Sequence, residues 1–373
     1  MEHAIEEEHV KTLSMNENNK MQVKNFIWSK EEWPTLKHDD FGDVEDDIPV
    51  ISLNNRVRDN DDQQVYDNLC NVMVKASENW GFFKLVDHGV SSEIVENYIT
   101  RLHELFDLPM EKKLKGGKTS SLPLGYYASN PEYGENLPWA EVLQLLQSPE
   151  MVVEFAKKVY GDQYHTFSNP MIEYMKEMDK LGMVIFKMLA HGLGLEDDFF
   201  FSKNFEEKEA TYFRVSRYPP CPLPEKIVGI GIHSDPQTLT ILHQDQVGGL
   251  QVLKDDKQWI GVRPLPNSFV INIGDTLEAW TNGRLKSVIH RAVVNKEKQR
   301  LSIAYFMSPT SNAIIECPPQ LIHPIYNPRK YLPFTWDQLR HLLLTTRRVR
   351  GKAIALNKFL ISSRDFQNSQ RFM

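Results

Sequence analysis

The chain has 373 residues, 41% hydrophobic, 25% charged and 10% aromatic, a globular balance with room for a sizeable core in one large or two ordinary domains. Its 43 Lys and Arg against 50 Asp and Glu leave a net charge of −7, without the basic excess of a nucleic-acid binder. Three cysteines (Cys70, Cys221 and Cys317) form no CxxC pair, and no stretch approaches 18 consecutive apolar residues; disulfide frameworks, structural zinc clusters and helical membrane spans are not expected.

Residues 1–46 are polar, acidic at both ends and read as a flexible extension, with Phe26, Ile27, Trp28 and Trp33 able to dock on a body. The acidic start has no apolar core of the kind a secretory leader needs, so a cytoplasmic protein is expected. Residues 47–200 form an N-terminal region of helices and short strands. Ile48–Ser52 reads as a strand, and residues 62–79 as a helix with Val65, Leu69, Val72 and Met73 on its apolar stripe. Gly81–Asp87 is a strand ending in a His88-Gly89 turn, and Ser91–Leu114 a helix interrupted near Pro109. Gly116–Glu150 is rich in turn formers and aromatics (Tyr126, Tyr127, Tyr133, Trp139) and reads as a long functional loop. Pro170 is placed to open a helix whose Met-rich stripe, Met171 to Leu189, packs into a core.

Residues 201–373 change texture. Short strands are predicted at Thr211–Val215, Thr238–Leu242, Leu250–Leu253, Gln258–Val262, Phe269–Ile273, His290–Val294 and Leu301–Phe306, with turns between them and a helix in the tail from Thr335. That pattern implies a sandwich or barrel. The basic run Arg347–Arg350 reads as a solvated helix end.

The chemistry concentrates between Gly229 and Pro309. His233 and Asp235 are two apart and would share a face on a strand, and His290 opens another strand. Two imidazoles and one carboxylate can hold an iron(II) ion and leave positions open, although a hydrolytic zinc site takes the same ligands. Arg300 and Ser302 separate the two readings. Arginine is a rigid fork for a carboxylate, which a zinc hydrolase has no need of but 2-oxoglutarate, a chelating dicarboxylate, does. His243 and His88 are weighed as further ligands and read instead as a strand-end and a turn residue.

In this order and spacing, Ile48-Pro-Val-Ile-Ser, Trp80-Gly-Phe-Phe-Lys-Leu-Val-Asp-His-Gly89, Tyr218-Pro-Pro-Cys, His233-Ser-Asp235, Ile273-Gly-Asp-Thr, Asn282-Gly, His290-Arg and Arg300-Leu-Ser302 resemble the plant 2-oxoglutarate/iron(II)-dependent dioxygenases. The resemblance spans about residues 48 to 360 and implies an α+β fold, a double-stranded β-helix (jelly-roll) flanked by helices. It implies iron ligation by His233, Asp235 and His290, and 2-oxoglutarate binding by Arg300, Ser302, Tyr218 and Ser216. Ser216 departs from the family, which often has Asn there. O2 is the co-oxidant and ascorbate a supporting reductant, and no catalytic side chain beyond the iron centre is implied.

Thr238–Val252, Thr281–Ser287 and Leu137-Pro-Trp139 followed by Glu141 are most similar to gibberellin 20-oxidases, implying hydroxylation or successive oxidation of a gibberellin. Trp139, Tyr127, Leu242 and Phe306 are the candidate substrate contacts. Alternatives are hydroxylation or demethylation of an alkaloid, steroid or phenolic, aminocyclopropane-carboxylate oxidation, and a non-catalytic hormone-binding protein on the same fold. The expected partner is a small molecule, with no nucleic acid and no membrane, and the expected state a monomer.

Overall fold

A computed structural model describes residues 23–42, 47–53, 63–120, 124–129, 136–200, 204–205, 210–255, 258–345 and 354–361. Its strands are β1 (Val50–Ser52), β2 (Phe82–Val86), β3 (Tyr126–Ala128), β4 (Glu141–Leu146), β5 (Tyr212–Tyr218), β6 (Val228–His233), β7 (Leu239–Gln244), β8 (Leu250–Lys254), β9 (Gln258–Gly261), β10 (Phe269–Ile273), β11 (His290–Val293), β12 (Arg300–Met307), β13 (Ile314–Ile315) and β14 (Phe334–Thr335). Eight of them form the large sheet, ordered β1-β2-β10-β7-β12-β5-β4-β3, and four form a smaller one, β6-β11-β8-β9. This is an α+β fold with a jelly-roll core.

Alternation along the strands divides the large sheet into two faces. Phe213 and Val215 on β5 and Leu301, Ile303, Tyr305 and Met307 on β12 join the main apolar core. Tyr218, Ser216, Arg300, Ser302 and Phe306 are of the opposite phase and line an interior cavity that also takes residues from the small sheet.

Helices cover the apolar face: α1 (Gln63–Asn79), α2 (Ser92–Asp107), α3 (Met110–Leu114), α4 (Pro149–Tyr160) and α5 (His165–Gly192). The buried stripe of α1 is Tyr66, Cys70, Met73, Val74 and Ser77, whereas Val65 and Val72 are exposed. Both stripes have helical spacing, and the one carrying the aromatic ring and the sulfurs faces the core. In α5 the predicted stripe is buried from Met171 to Leu189, but the helix begins at His165, five residues before Pro170. There the proline falls in the second turn, where its missing N–H forgoes one bond, the one to the Thr166 carbonyl.

The segment read as a long loop contains β3 and β4, and β4 pairs along its whole length with β5, from Glu141 opposite Arg217 to Leu146 opposite Tyr212. Its first residue, Glu141, is buried, and it accepts from Lys113 Nζ (2.6 Å), Arg217 Nη2 (2.6 Å) and the Tyr126 hydroxyl. Burial pushes the Glu141 carboxyl up, but Arg217 and Lys113 outweigh it and hold it below the usual range. Pro123, Pro131, Tyr133 and Gly134 lie outside the described residues, as does Arg347–Arg350.

Residues 23–42 lie against the body. Phe26 and Trp28 are buried, Phe26 packs edge-on to Trp139 at 5.0 Å, and Gln251 Nε2 donates to the Leu36 carbonyl (3.0 Å). The tail helix α6 (Trp336–Thr345) buries Trp336 and Leu339, and leaves Leu344 exposed. No helix among the described residues is long and apolar enough to cross a membrane.

Candidate active site

His233 ends β6 and His290 begins β11, and the two are direct cross-strand partners. Their rings lie 4.2 Å apart. Asp235 does not share a strand with His233, as the two-residue spacing suggested. It sits in the link between β6 and β7, and its carboxylate is placed by hydrogen bonds rather than by alternation. Thr240 Oγ1 (2.7 Å) and Asn272 Nδ2 (2.8 Å) both donate to Oδ2. Oδ1 is left facing His233 Nε2 at 3.6 Å and His290 Nε2 at 3.7 Å.

Each imidazole is oriented by the backbone. Nδ1–H of His233 donates to the Gly231 carbonyl (2.8 Å), and that of His290 to Val288 (3.0 Å). The lone-pair nitrogen is then Nε2, turned toward Asp235. One atom from each of the three residues lies within 4.8 Å of the others. Burial drives the Asp235 carboxyl up, but the two histidines and the Asn272 and Thr240 donors carry it below the ordinary range. An anionic carboxylate beside two Nε2 lone pairs is a donor set that suits a divalent cation.

Register orders the cavity floor. Arg300 faces Tyr218, Ser302 faces Ser216, Ala304 faces Arg214 and Phe306 faces Tyr212 along the β12–β5 pair. On the other side of β12, Ser302, Ala304 and Phe306 face Gln244, Leu242 and Thr240. Arg300 is 2% exposed, its guanidinium lies over the Tyr218 ring at 5.1 Å, and it donates to the neutral amide oxygen of Gln244 (3.1 Å). Among the described residues it has no carboxylate partner, and Arg300 Nε and the Tyr218 hydroxyl are both buried without hydrogen-bond partners. A buried cation with orphan donors beside it is costly unless an anion joins it.

Two glycines make the room. A Cβ on Gly229 would meet the Tyr218 ring at 2.5 Å. Gly249 has φ +113°, and a Cβ there would lie 2.6 Å from the Val293 carbonyl and 3.3 Å from Arg300.

The remaining candidates separate. Leu242 and Phe306 line the cavity with Phe82, Ile230, Leu250 and Ala304. Trp139 does not line it: it is fully buried in the cluster behind Tyr218, and its indole N–H donates to the Pro219 carbonyl (3.1 Å). Tyr127 is 39% exposed and is not among the lining residues either. His243 lies beside Phe269, outside the triad, and His88 accepts from the Val90 amide within its turn. A larger hollow lined by Tyr66, His88, Leu181 and Met188 lies elsewhere and has no such ligand set. Sequence reasoning overlooked Thr240, Asn272, Gln244, Gly229 and Arg214. For Arg214 a signal existed, because it shares the alternation phase of Ser216 and Tyr218.

Residues 210–309 match the family described as the 2OG-Fe(II) oxygenase superfamily, and residues 48–164 the one described as non-haem dioxygenase in morphine synthesis N-terminal. The chain is 35% identical over 356 residues to gibberellin 20 oxidase 3 of Arabidopsis thaliana, covering 93% of this chain and 90% of that protein. It is 33% identical over 318 residues to gibberellin 20 oxidase 1-B of Triticum aestivum, covering 84% of each. Among solved structures it is similar to JOX2 in complex with 2OG, Fe and JA, with 31% identity, TM-score 0.74, and 91% of this chain and 93% of that one covered. It is similar also to the dioxygenase for auxin oxidation in rice, with 26% identity, TM-score 0.69, and 84% and 100% covered. With both halves matched and a jelly-roll bearing a His/Asp/His cluster, the chain belongs to the 2OG-Fe(II) oxygenase superfamily and is an oxidoreductase that uses iron(II) and 2-oxoglutarate.

Proposed function

We propose that this enzyme hydroxylates or successively oxidises a gibberellin, with His233, Asp235 and His290 holding the iron and Arg300, Ser302, Tyr218 and Ser216 holding 2-oxoglutarate. The observation that carries the site assignment is Arg300: a buried guanidinium without an acid among the described residues, flanked by a Tyr218 hydroxyl with no partner among them, on the floor of the cavity that contains the triad. A dicarboxylate reaching from the triad to Arg300 would neutralise that charge and give the orphan groups partners.

Bound there, the iron supplies O2 activation coupled to decarboxylation of 2-oxoglutarate to succinate and carbon dioxide. The protein's part is positional. Thr240 and Asn272 hold Asp235, backbone carbonyls fix both imidazoles, and residues of both sheets line the cavity that would take the cosubstrate. Leu242, Phe306, Ile230 and Leu250 supply an apolar wall suited to a terpenoid skeleton.

The 33–35% identity to gibberellin 20 oxidases supports the gibberellin reading over oxidation of an alkaloid, steroid or phenolic. The test is incubation with C20 gibberellin precursors, iron(II) and 2-oxoglutarate, with products read by mass spectrometry. Oxidised gibberellins are expected. No turnover of any gibberellin, with another metabolite consumed instead, would overturn the substrate assignment and leave the reaction class standing.

A further inference from the structure

Residues 23–42 precede both stretches that match the family, yet they touch the body at the places that back Tyr218 and Arg300. Val23 and Phe26 share a buried apolar cluster with Trp139 and Tyr218. Two long-range bonds fasten the segment there: the Trp28 indole N–H donates to the Leu137 carbonyl (3.0 Å), and the Leu137 amide donates to the Asn25 carbonyl (3.1 Å). Further along, the segment crosses the outer face of the small sheet. Gln251 is on that face, because it alternates on β8 with Leu250 and Val252, which pack inward. Its Nε2 donates to the carbonyls of Leu36 (3.0 Å) and Lys37 (3.2 Å), and its Oε1 accepts from Nε of Arg291 (2.8 Å), the neighbour of His290.

One turn carries this second contact to Arg300. Gly248 and Gly249 lie between β7 and β8. A Cβ on Gly248 would lie 2.6 Å from the His38 carbonyl and 2.9 Å from the Phe41 ring, and one on Gly249 would lie 3.3 Å from the Arg300 side chain. The turn is therefore packed between the N-terminal segment and the stem of the guanidinium. It is also tied to the strand that carries Arg300, since the Asp245 carboxylate accepts from the Leu301 amide (2.5 Å). Tyr218 is the last residue of β5 and Arg300 the first of β12, and the two are register partners. Strand ends open more readily than strand centres, so what packs behind these two side chains weighs heavily on their placement.

We propose that residues 23–42 form a strap that positions Tyr218 and Arg300, so that seating of the strap and binding of 2-oxoglutarate strengthen one another. Phe26 and Phe41 are its positioning residues; neither lines the cavity. The triad is held by Thr240, Asn272 and the Gly231 and Val288 carbonyls, none of them on the strap, so iron affinity should not depend on it. Linkage makes the effect reciprocal: the factor by which the seated strap tightens 2-oxoglutarate is the factor by which 2-oxoglutarate holds the strap down. The proposal rests on the assignment of Tyr218 and Arg300 to 2-oxoglutarate given above.

The experiment digests the full chain with trypsin, loaded with iron(II) and kept free of oxygen, with and without saturating 2-oxoglutarate. Lys37 is exposed on the strap, and Lys180 is exposed within α5, where cleavage needs wider unfolding. Cleavage after Lys37 is expected to outpace cleavage after Lys180, and to slow roughly 5- to 150-fold when the cosubstrate is added. In parallel, Phe26→Ala/Phe41→Ala is expected to weaken 2-oxoglutarate binding by up to the same factor while iron retention stays near native, and Phe26→Leu/Phe41→Leu to recover part of the affinity. Strap cleavage that does not respond to the cosubstrate, cleavage after Lys37 in step with Lys180, or an alanine variant that binds 2-oxoglutarate as the native chain does would overturn the proposal and leave the cosubstrate site standing. An Arg300→Met chain that binds 2-oxoglutarate normally would instead remove the site assignment, and the proposal with it.

Discussion

Replacing Arg300 by methionine separates binding from stability, because the two should move in opposite directions. In the free protein Arg300 is 2% exposed, hydrogen-bonded to one neutral amide and without an acid among the described residues. Removing a buried cation in that condition while keeping its aliphatic volume is expected to be neutral or stabilising, by up to a few kcal/mol. With 2-oxoglutarate bound the balance reverses. Truncating one partner of a buried hydrogen-bonded charge pair costs about 2–5 kcal/mol, equivalent to roughly a 30- to 4,000-fold rise in Kd. Thermal unfolding with and without cosubstrate reads both effects. At 100 times its Kd, 2-oxoglutarate should stabilise the native chain by about 2.7 kcal/mol, and at the same concentration should stabilise Arg300→Met by less than about 0.9 kcal/mol. A variant that unfolds earlier without ligand yet keeps the ligand-induced gain would show that Arg300 is a structural residue and refute the reasoning.

Gly229→Ala should push the Tyr218 ring off its seat, where a Cβ would come within 2.5 Å, and raise KM for 2-oxoglutarate more than it lowers kcat, which steady-state kinetics at varied cosubstrate would show. Glu141→Gln leaves Lys113 buried and Arg217 mostly buried without their shared carboxylate, and should cost about 3–5 kcal/mol in urea unfolding. Burial, helped by nearby His88, lowers the His243 pKa to about 4 from an ordinary 6.5. The unfolded chain therefore takes up this proton first as pH falls, so the contribution is complete above about 6.5 and drains away toward pH 4. Its size is at most about 3 kcal/mol, because the ring is partly exposed. His243→Gln should flatten the stability profile in that window, and an unchanged slope would assign the acid sensitivity elsewhere.

The site was more legible in the sequence than the scaffold around it. Arg300-x-Ser302 lies on one strand, so two-residue spacing meant a shared face, and the alternation that sends Leu301 and Ile303 to the core sends these two to the cavity. His233-x-Asp235 led to the same cluster by a different route. The pair straddles a strand end, and the carboxylate is aimed by Thr240 and Asn272, donors whose roles no local pattern announces. β4 was hidden because Glu141, a strongly polar residue, opens it and is buried only through cations 28 and 76 residues away. Trp139 sits beside motif residues yet packs on Phe26, from a segment whose polarity suggested flexibility. Long-range pairing of this kind leaves no periodic trace. Pro170 misled for a local reason, because a proline early in a helix is tolerated and does not always mark its first residue.

The most direct test of the central claim is the coupling of cosubstrate to product. Native enzyme with iron(II), 2-oxoglutarate and a gibberellin acid should release one succinate for each oxidation of the substrate. Asp235→Ala, which removes the carboxylate that the two Nε2 atoms face, should abolish both succinate release and iron retention in equilibrium dialysis. Succinate and product formed at the native ratio by Asp235→Ala, or iron retained undiminished, would contradict the assignment of the His233/Asp235/His290 centre.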